Sequence, residues 1–77
     1  MPPVFKPIRP KKLSEEIVSQ IKDLISNGEL KPGERIPSER ELAAFLGVSR
    51  PSVREAIMVL EAMGFLESRQ GGGNFVR

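Results

Sequence analysis

From Leu13 onward the apolar positions recur at helical spacing. Leu13, Ile17, Val18, Ile21, Leu24 and Ile25 fall, at about 100° per residue, on one stripe about 140° wide. Ser14 is a good N-cap, Glu15 and Glu16 suit the positive end of the helix dipole, and Gly28 suits a left-handed stop. A first helix is therefore predicted from Ser14 to Asn27. Pro32-Gly33 is a turn dipeptide. Ser38-Glu39-Arg40-Glu41 then forms a capping box, opening a short second helix whose apolar face is Leu42, Ala43, Phe45 and Leu46. It ends before Gly47. After Gly47-Val48-Ser49 a third helix is predicted from Ser49 to Met63, with Pro51 in the first turn, where its missing amide costs little. Two helices joined by so short a glycine-containing turn are the signature of a helix-turn-helix. Phe65–Arg69 and Asn74–Arg77, extended runs around Gln70-Gly71-Gly72-Gly73, predict a β-hairpin.

Ahead of this pattern lies a different segment. Residues 1–12 hold Pro2, Pro3, Pro7 and Pro10, four of the seven prolines, and prolines push their predecessors toward extended geometry. An extended basic arm is expected at 1–12, pinned by Val4, Phe5 and Ile8, with the folded domain at 13–77. Charge sharpens the division. Lys6, Arg9, Lys11 and Lys12 give residues 1–13 a charge of +4, whereas the remaining eight basic and ten acidic groups give 14–77 a charge of −2. Any nucleic-acid binding must then rest on a few placed cations and the arm rather than on a basic coat.

Composition removes whole classes of chemistry. Cysteine and histidine are absent, so no disulfide, Cys/His zinc site or Ser–His nucleophile can form. Neither a metal nor a cofactor is expected. No apolar run approaches the roughly 18–20 residues that cross a bilayer, and no apolar stretch follows the early basic residues. The expected location is cytoplasmic, without a membrane partner.

The third helix carries the chemistry. With Arg50 set at 0°, Val53, Ala56, Ile57, Leu60 and Met63 fall between about 220° and 340°, and Arg54 falls near 40°. Arg50 and Arg54 thus lie one turn apart, away from the core, at the end that a helix-turn-helix points into the major groove. A guanidinium can give two parallel hydrogen bonds to guanine O6 and N7 or clamp a phosphate. Ser49 and Ser52 are short donors able to reach phosphate or base edges.

Taken together, Gly28-x-Leu30-x-Pro32-Gly33-x-x-Ile36-Pro37-Ser38-Glu39-Arg40-Glu41-Leu42-Ala43, Leu46-Gly47-Val48-Ser49-Arg50-x-x-Val53-Arg54-Glu55-Ala56, Gly64-x-Leu66 and Gln70-Gly71-x-Gly73-x-Phe75-Val76 resemble the DNA-binding domain of GntR-family bacterial transcription regulators. The arm with Phe5, Pro7 and Ile8 looks most like the FadR-type subgroup. The resemblance implies a mainly α winged helix-turn-helix, three helices plus a small antiparallel hairpin, with Arg35-Ile36 adding a small strand. It implies sequence-specific binding of double-stranded DNA, by two copies on a short inverted-repeat operator. The recognition helix, 49–63, would enter the major groove and the wing, 65–77, would approach the minor groove. Arg40 matches an operator-contacting position, Arg50 and Arg54 match the arginines of the recognition helix, and Pro51 falls where many relatives carry threonine. Gln70 and Gly71 match the wing tip. Gly72 and Asn74 depart from the common pattern, leaving a wing that offers mainly backbone. Relatives continue into a C-terminal domain that binds an effector and dimerises, so this chain reads as a part of a longer regulator.

Other readings fare worse. Gly71-Gly72-Gly73 lacks the Lys and Ser/Thr opening a helix that a phosphate-binding loop needs. The acid pairs Glu15/Glu16 and Glu39/Glu41 suit helix starts rather than acid–base catalysis, so no enzyme is expected. A winged-helix module that binds protein instead of DNA is the remaining alternative, drawn from the −2 of residues 14–77.

Overall fold

The computed structural model of the chain describes Val4 and residues 11–77, the Lys11 side chain apart. Helices α1 (Lys11–Ser26), α2 (Glu39–Leu46) and α3 (Arg50–Ala62) are followed by strands β1 (Leu66–Ser68) and β2 (Asn74–Val76). The arrangement is three helices capped at one end by a hairpin, as the pattern predicts. The expected pinning of the arm by Phe5 and Ile8 lies outside the described residues.

One apolar cluster joins every element. Ile17 and Ile21 of α1 meet Val53, Ala56, Ile57 and Leu60 of α3, with Leu42 and Ala43 of α2, Ile36 of the connecting loop, and Leu66 and Val76 of the hairpin. Leu60, Leu66, Val53 and Val76 are the largest fully buried side chains. Each such burial stabilises the fold by about 1.5–3 kcal/mol.

The strands pair antiparallel, Leu66 opposite Val76, Glu67 opposite Phe75 and Ser68 opposite Asn74. The loop before α2 adds an antiparallel bridge from Arg35 to Phe75. Around it the Ile36 amide donates to the Asn74 carbonyl and the Val76 amide to the Glu34 carbonyl, at 2.9 and 2.8 Å. The small strand at Arg35-Ile36 is thus realised as one bridge that ties the wing to the start of α2.

Three expectations need correction. The first helix begins at Lys11, not Ser14, so Lys11 and Lys12 are helical rather than extended. Proline restrains the residue before it, not the one after, and lysine propagates a helix better than serine. Ser14 is therefore a buried residue inside α1, and Glu15 and Glu16 lie beyond its first turn. On α2, Phe45 is 73 % exposed and leaves the core to Leu42 and Ala43, with Leu46 packed at its margin. On α3, Met63 is half exposed because the helix ends at Ala62 and Met63 serves as its C-cap.

Candidate nucleic-acid interface

Two local devices set α2 against α3. At the start of α2 the Ser38 hydroxyl accepts from the Glu41 amide at 3.1 Å, and the Glu41 carboxylate accepts from the Ser38 amide at 3.0 Å. At its end Gly47 turns left-handed, φ 67°, and its amide donates to the Ala43 carbonyl. Only glycine adopts that backbone without a steric penalty. The chain therefore turns within three residues, and the N-terminal part of α3 brings Arg50 and Arg54 within reach of Glu39 at the start of α2.

That juxtaposition gathers three charges. The Nε and Nη2 groups of Arg54 both donate to the Glu39 carboxylate, each at 2.9 Å, and the Nε of Arg50 donates to it at 3.0 Å. Both arginine side chains keep more than half of their surface in water, 56 % and 57 %, whereas Glu39 keeps 22 %. The guanidinium groups thus stand outward, away from the core, with the carboxylate beneath them. In water such pairs add little stability, so their effect is orientation. The Arg54 hydrogen bond, with the nearby Arg50 and both positive charges, holds the Glu39 carboxyl below its ordinary range despite some desolvation. Reciprocally, the hydrogen bond and charge of Glu39 push the Arg54 guanidinium up. Glu41 is held low by the amide and hydroxyl of Ser38, with smaller help from Arg35 and Arg40.

The remaining sequence-predicted residues fall around this trio. Arg40, on the second residue of α2, and Pro51, in the first turn of α3, are exposed. Ser49 is exposed at the N-cap of α3 but caps no amide; its hydroxyl shares a 2.9 Å hydrogen bond with that of Ser52. Ser52, expected to reach phosphate or base edges, is only 5 % exposed. Its hydroxyl holds Ser49 instead of facing solvent. Gln70 and Gly71 are exposed at the hairpin tip, separated along the chain from the arginine pair.

Three further charged side chains lie at or beside these residues without a binding role expected from the sequence. Glu39 was read as a dipole-favouring acid; its partners lie 11 and 15 residues downstream across a turn. Arg35 crosses the wing, its Nε 2.5 Å from where a Cβ on Gly73 would stand, so a side chain there would displace it. Arg69 lies over the Phe75 ring at 4.1 Å. Two guanidinium groups, Arg69 of the wing and Arg35 of the loop before α2, therefore lie beside its glycine turn. For Arg35 the available signal was the small strand that the resemblance implies at Arg35-Ile36, whose partner is Phe75.

A three-helix body, a tight turn into an arginine-bearing helix, and a hairpin beside it define a winged helix-turn-helix. Residues 13–76 match the bacterial regulatory proteins of the gntR family. The chain belongs to the GntR family. It is similar to the HTH-type transcriptional regulator Mce2R of Mycobacterium tuberculosis, 49 % identical over 73 residues, which cover 95 % of this chain and 30 % of that protein. The chain thus spans under a third of the length of such curated relatives. Among solved structures it resembles AraR(DBD) in complex with operator ORR3, with TM-score 0.79 and 38 % identity over all of this chain and 90 % of that one. It also resembles YtrA from Sulfolobus acidocaldarius, a GntR-family transcription factor, with TM-score 0.80 and 41 % identity over 83 % of this chain and 67 % of that one. No helix among the described residues is long and apolar enough to cross a membrane.

Proposed function

We propose that this domain binds double-stranded DNA sequence-specifically, as the operator-reading part of a transcription regulator. The observation that carries the reading is the outward pair of guanidinium groups, Arg50 and Arg54, at the leading end of α3. The N-terminal half of α3 enters the major groove, where an arginine fork matches guanine O6 and N7. Arg40, Ser49 and Pro51 line the same end and meet phosphate and sugar. Gln70 and Gly71 bring the wing tip toward the minor groove. The likeness to AraR(DBD), solved on an operator, supports this placement.

Two copies occupy an inverted repeat, and the regulator works in the cytoplasm by binding rather than by catalysis. The matched relatives are more than three times as long, which supports an effector-binding, dimerising domain in the parent protein. Repression is the regulatory sense we infer, since the relatives include the repressor NanR of Klebsiella aerogenes. The proline-rich arm, with Phe5, Pro7 and Ile8, favours the FadR-type subgroup.

Salt titration tests the electrostatic part. If each copy neutralises about 4–6 phosphates, log affinity falls with log salt at a slope near −4 to −5 per copy. Absence of duplex binding at every ionic strength would instead leave the protein-interaction reading.

A further inference from the structure

Glu39 uses its two oxygens unevenly. One accepts from both Arg50 Nε and Arg54 Nη2, and the other accepts from Arg54 Nε. A guanidinium has a side edge, formed by Nε and one Nη, and an end edge formed by the two Nη groups. Arg54 gives its side edge to Glu39, so its end edge remains available on a side chain that is more than half exposed. Arg50 gives only Nε and keeps both Nη groups. The end edge is itself a two-donor fork of the kind that matches guanine O6 and N7. One carboxylate thus grips two long side chains by their inner edges and leaves their outer edges for a ligand.

We propose that Glu39 is a positioning residue that sets the selectivity of this interface: it stays bound to Arg50 and Arg54 while they read DNA, favouring the cognate duplex over any other. The inference rests on the DNA-binding reading above. Two effects work together. Holding the guanidiniums in place removes rotamer freedom before binding, so a duplex with acceptors at the matching positions loses less entropy on contact. A carboxylate beneath two cations also leaves the trio with a net charge of +1 instead of +2, which weakens attraction to phosphate wherever it occurs. Specific contact is strengthened and indiscriminate contact is weakened.

The folded core does not depend on this contact. Glu39 is the first residue of α2, the capping box is made by Ser38 and Glu41, and the trio faces solvent. The experiment measures affinity for a duplex selected by the unaltered domain and for a scrambled duplex of the same composition, across salt. Glu39→Gln is expected to lower the ratio of the two affinities about tenfold. It is also expected to steepen the salt slope on scrambled DNA by about 0.9. Glu39→Asp keeps the charge but is too short to reach both arginines; it should retain the original slope while losing part of the ratio. In the unaltered domain free of DNA, the Nε–H resonances of Arg50 and Arg54 should exchange with water more slowly than that of Arg40, and they should stay as slow when DNA is bound. An unchanged ratio in both variants, or Nε–H exchange as fast as that of Arg40, overturns the inference while the domain still selects its site. A ratio near one for the unaltered domain defeats the DNA-reading proposal and this one with it.

Discussion

Helices α1 and α3 are built on the same plan. Each is amphipathic, and their buried faces pack against one another through Ile17, Ile21, Val53, Ala56, Ile57 and Leu60. Their polar faces differ. The described charged side chains of α1 — Lys12, Glu15, Glu16, Lys22 and Asp23 — form no ion pair among the described residues, and Lys22 only leans over the Phe65 ring at 5.5 Å. On α3, Arg50 and Arg54 are both held by an acid from another helix. Amphipathic periodicity therefore reports only the half of a helix that faces the core. What sets the proposed reading helix apart from α1 is that its arginines are placed by a neighbouring element.

The contrast can be tested by substitution. The largest effect is expected where the two helices are alike. Leu60→Ala empties a fully buried site, and denaturant unfolding should show a loss of about 2–5 kcal/mol. DNA affinity should then fall only as far as the folded fraction falls. Arg54→Ala comes next: about 1–3 kcal/mol of affinity lost on the selected duplex, with the unfolding midpoint near that of the parent domain. Lys22→Gln is its counterpart on α1 and should change affinity by no more than about 0.5 kcal/mol. Equal losses from the two substitutions would erase the distinction drawn between the helices.

The reach of sequence reasoning follows the range of the interactions. The capping box at Ser38 and Glu41 was legible because both partners lie within one turn, and the glycine turn at Gly47 was legible for the same reason. The buried face of α3 was legible from periodicity, apart from Met63 at its end. Ser52 sits at about 200° on the same wheel, beside the buried arc, so its burial was within reach of that periodicity. The start of α1 was misplaced because serine's capping preference is local, whereas burial of Ser14 against the rest of the fold is not. Glu39 was the hardest case. An acid in the first turn of a helix has a sufficient local explanation, and nothing in the order of residues reveals that two arginines return to it.

Smaller effects refine the picture at the shared origin of α2 and α3. Ser38→Ala should cost about 1 kcal/mol in thermal or chemical unfolding, by orphaning the Glu41 amide. The pH dependence of stability should follow the two carboxylates of the same turn. Glu39 and Glu41 are both held below the ordinary 4.5 in the folded chain, so they bind protons less readily than when unfolded. Their contribution is complete above about pH 4.5 and is lost as pH falls through the lower folded values. Urea midpoints measured down that range should decline, and a Glu39→Gln, Glu41→Gln double variant should show a shallower decline. A pH profile identical to the parent's would remove these two groups as its cause.

The DNA-binding proposal stands on base reading by the outward guanidinium pair on α3. Selection of bound duplexes from a random pool, run in parallel with the parent domain and with Arg54→Ala, tests it most directly. The parent domain is expected to enrich an inverted repeat containing a guanine in each half-site, and the variant to lose preference at that position while keeping it elsewhere. Identical base-preference profiles from the two proteins would contradict it.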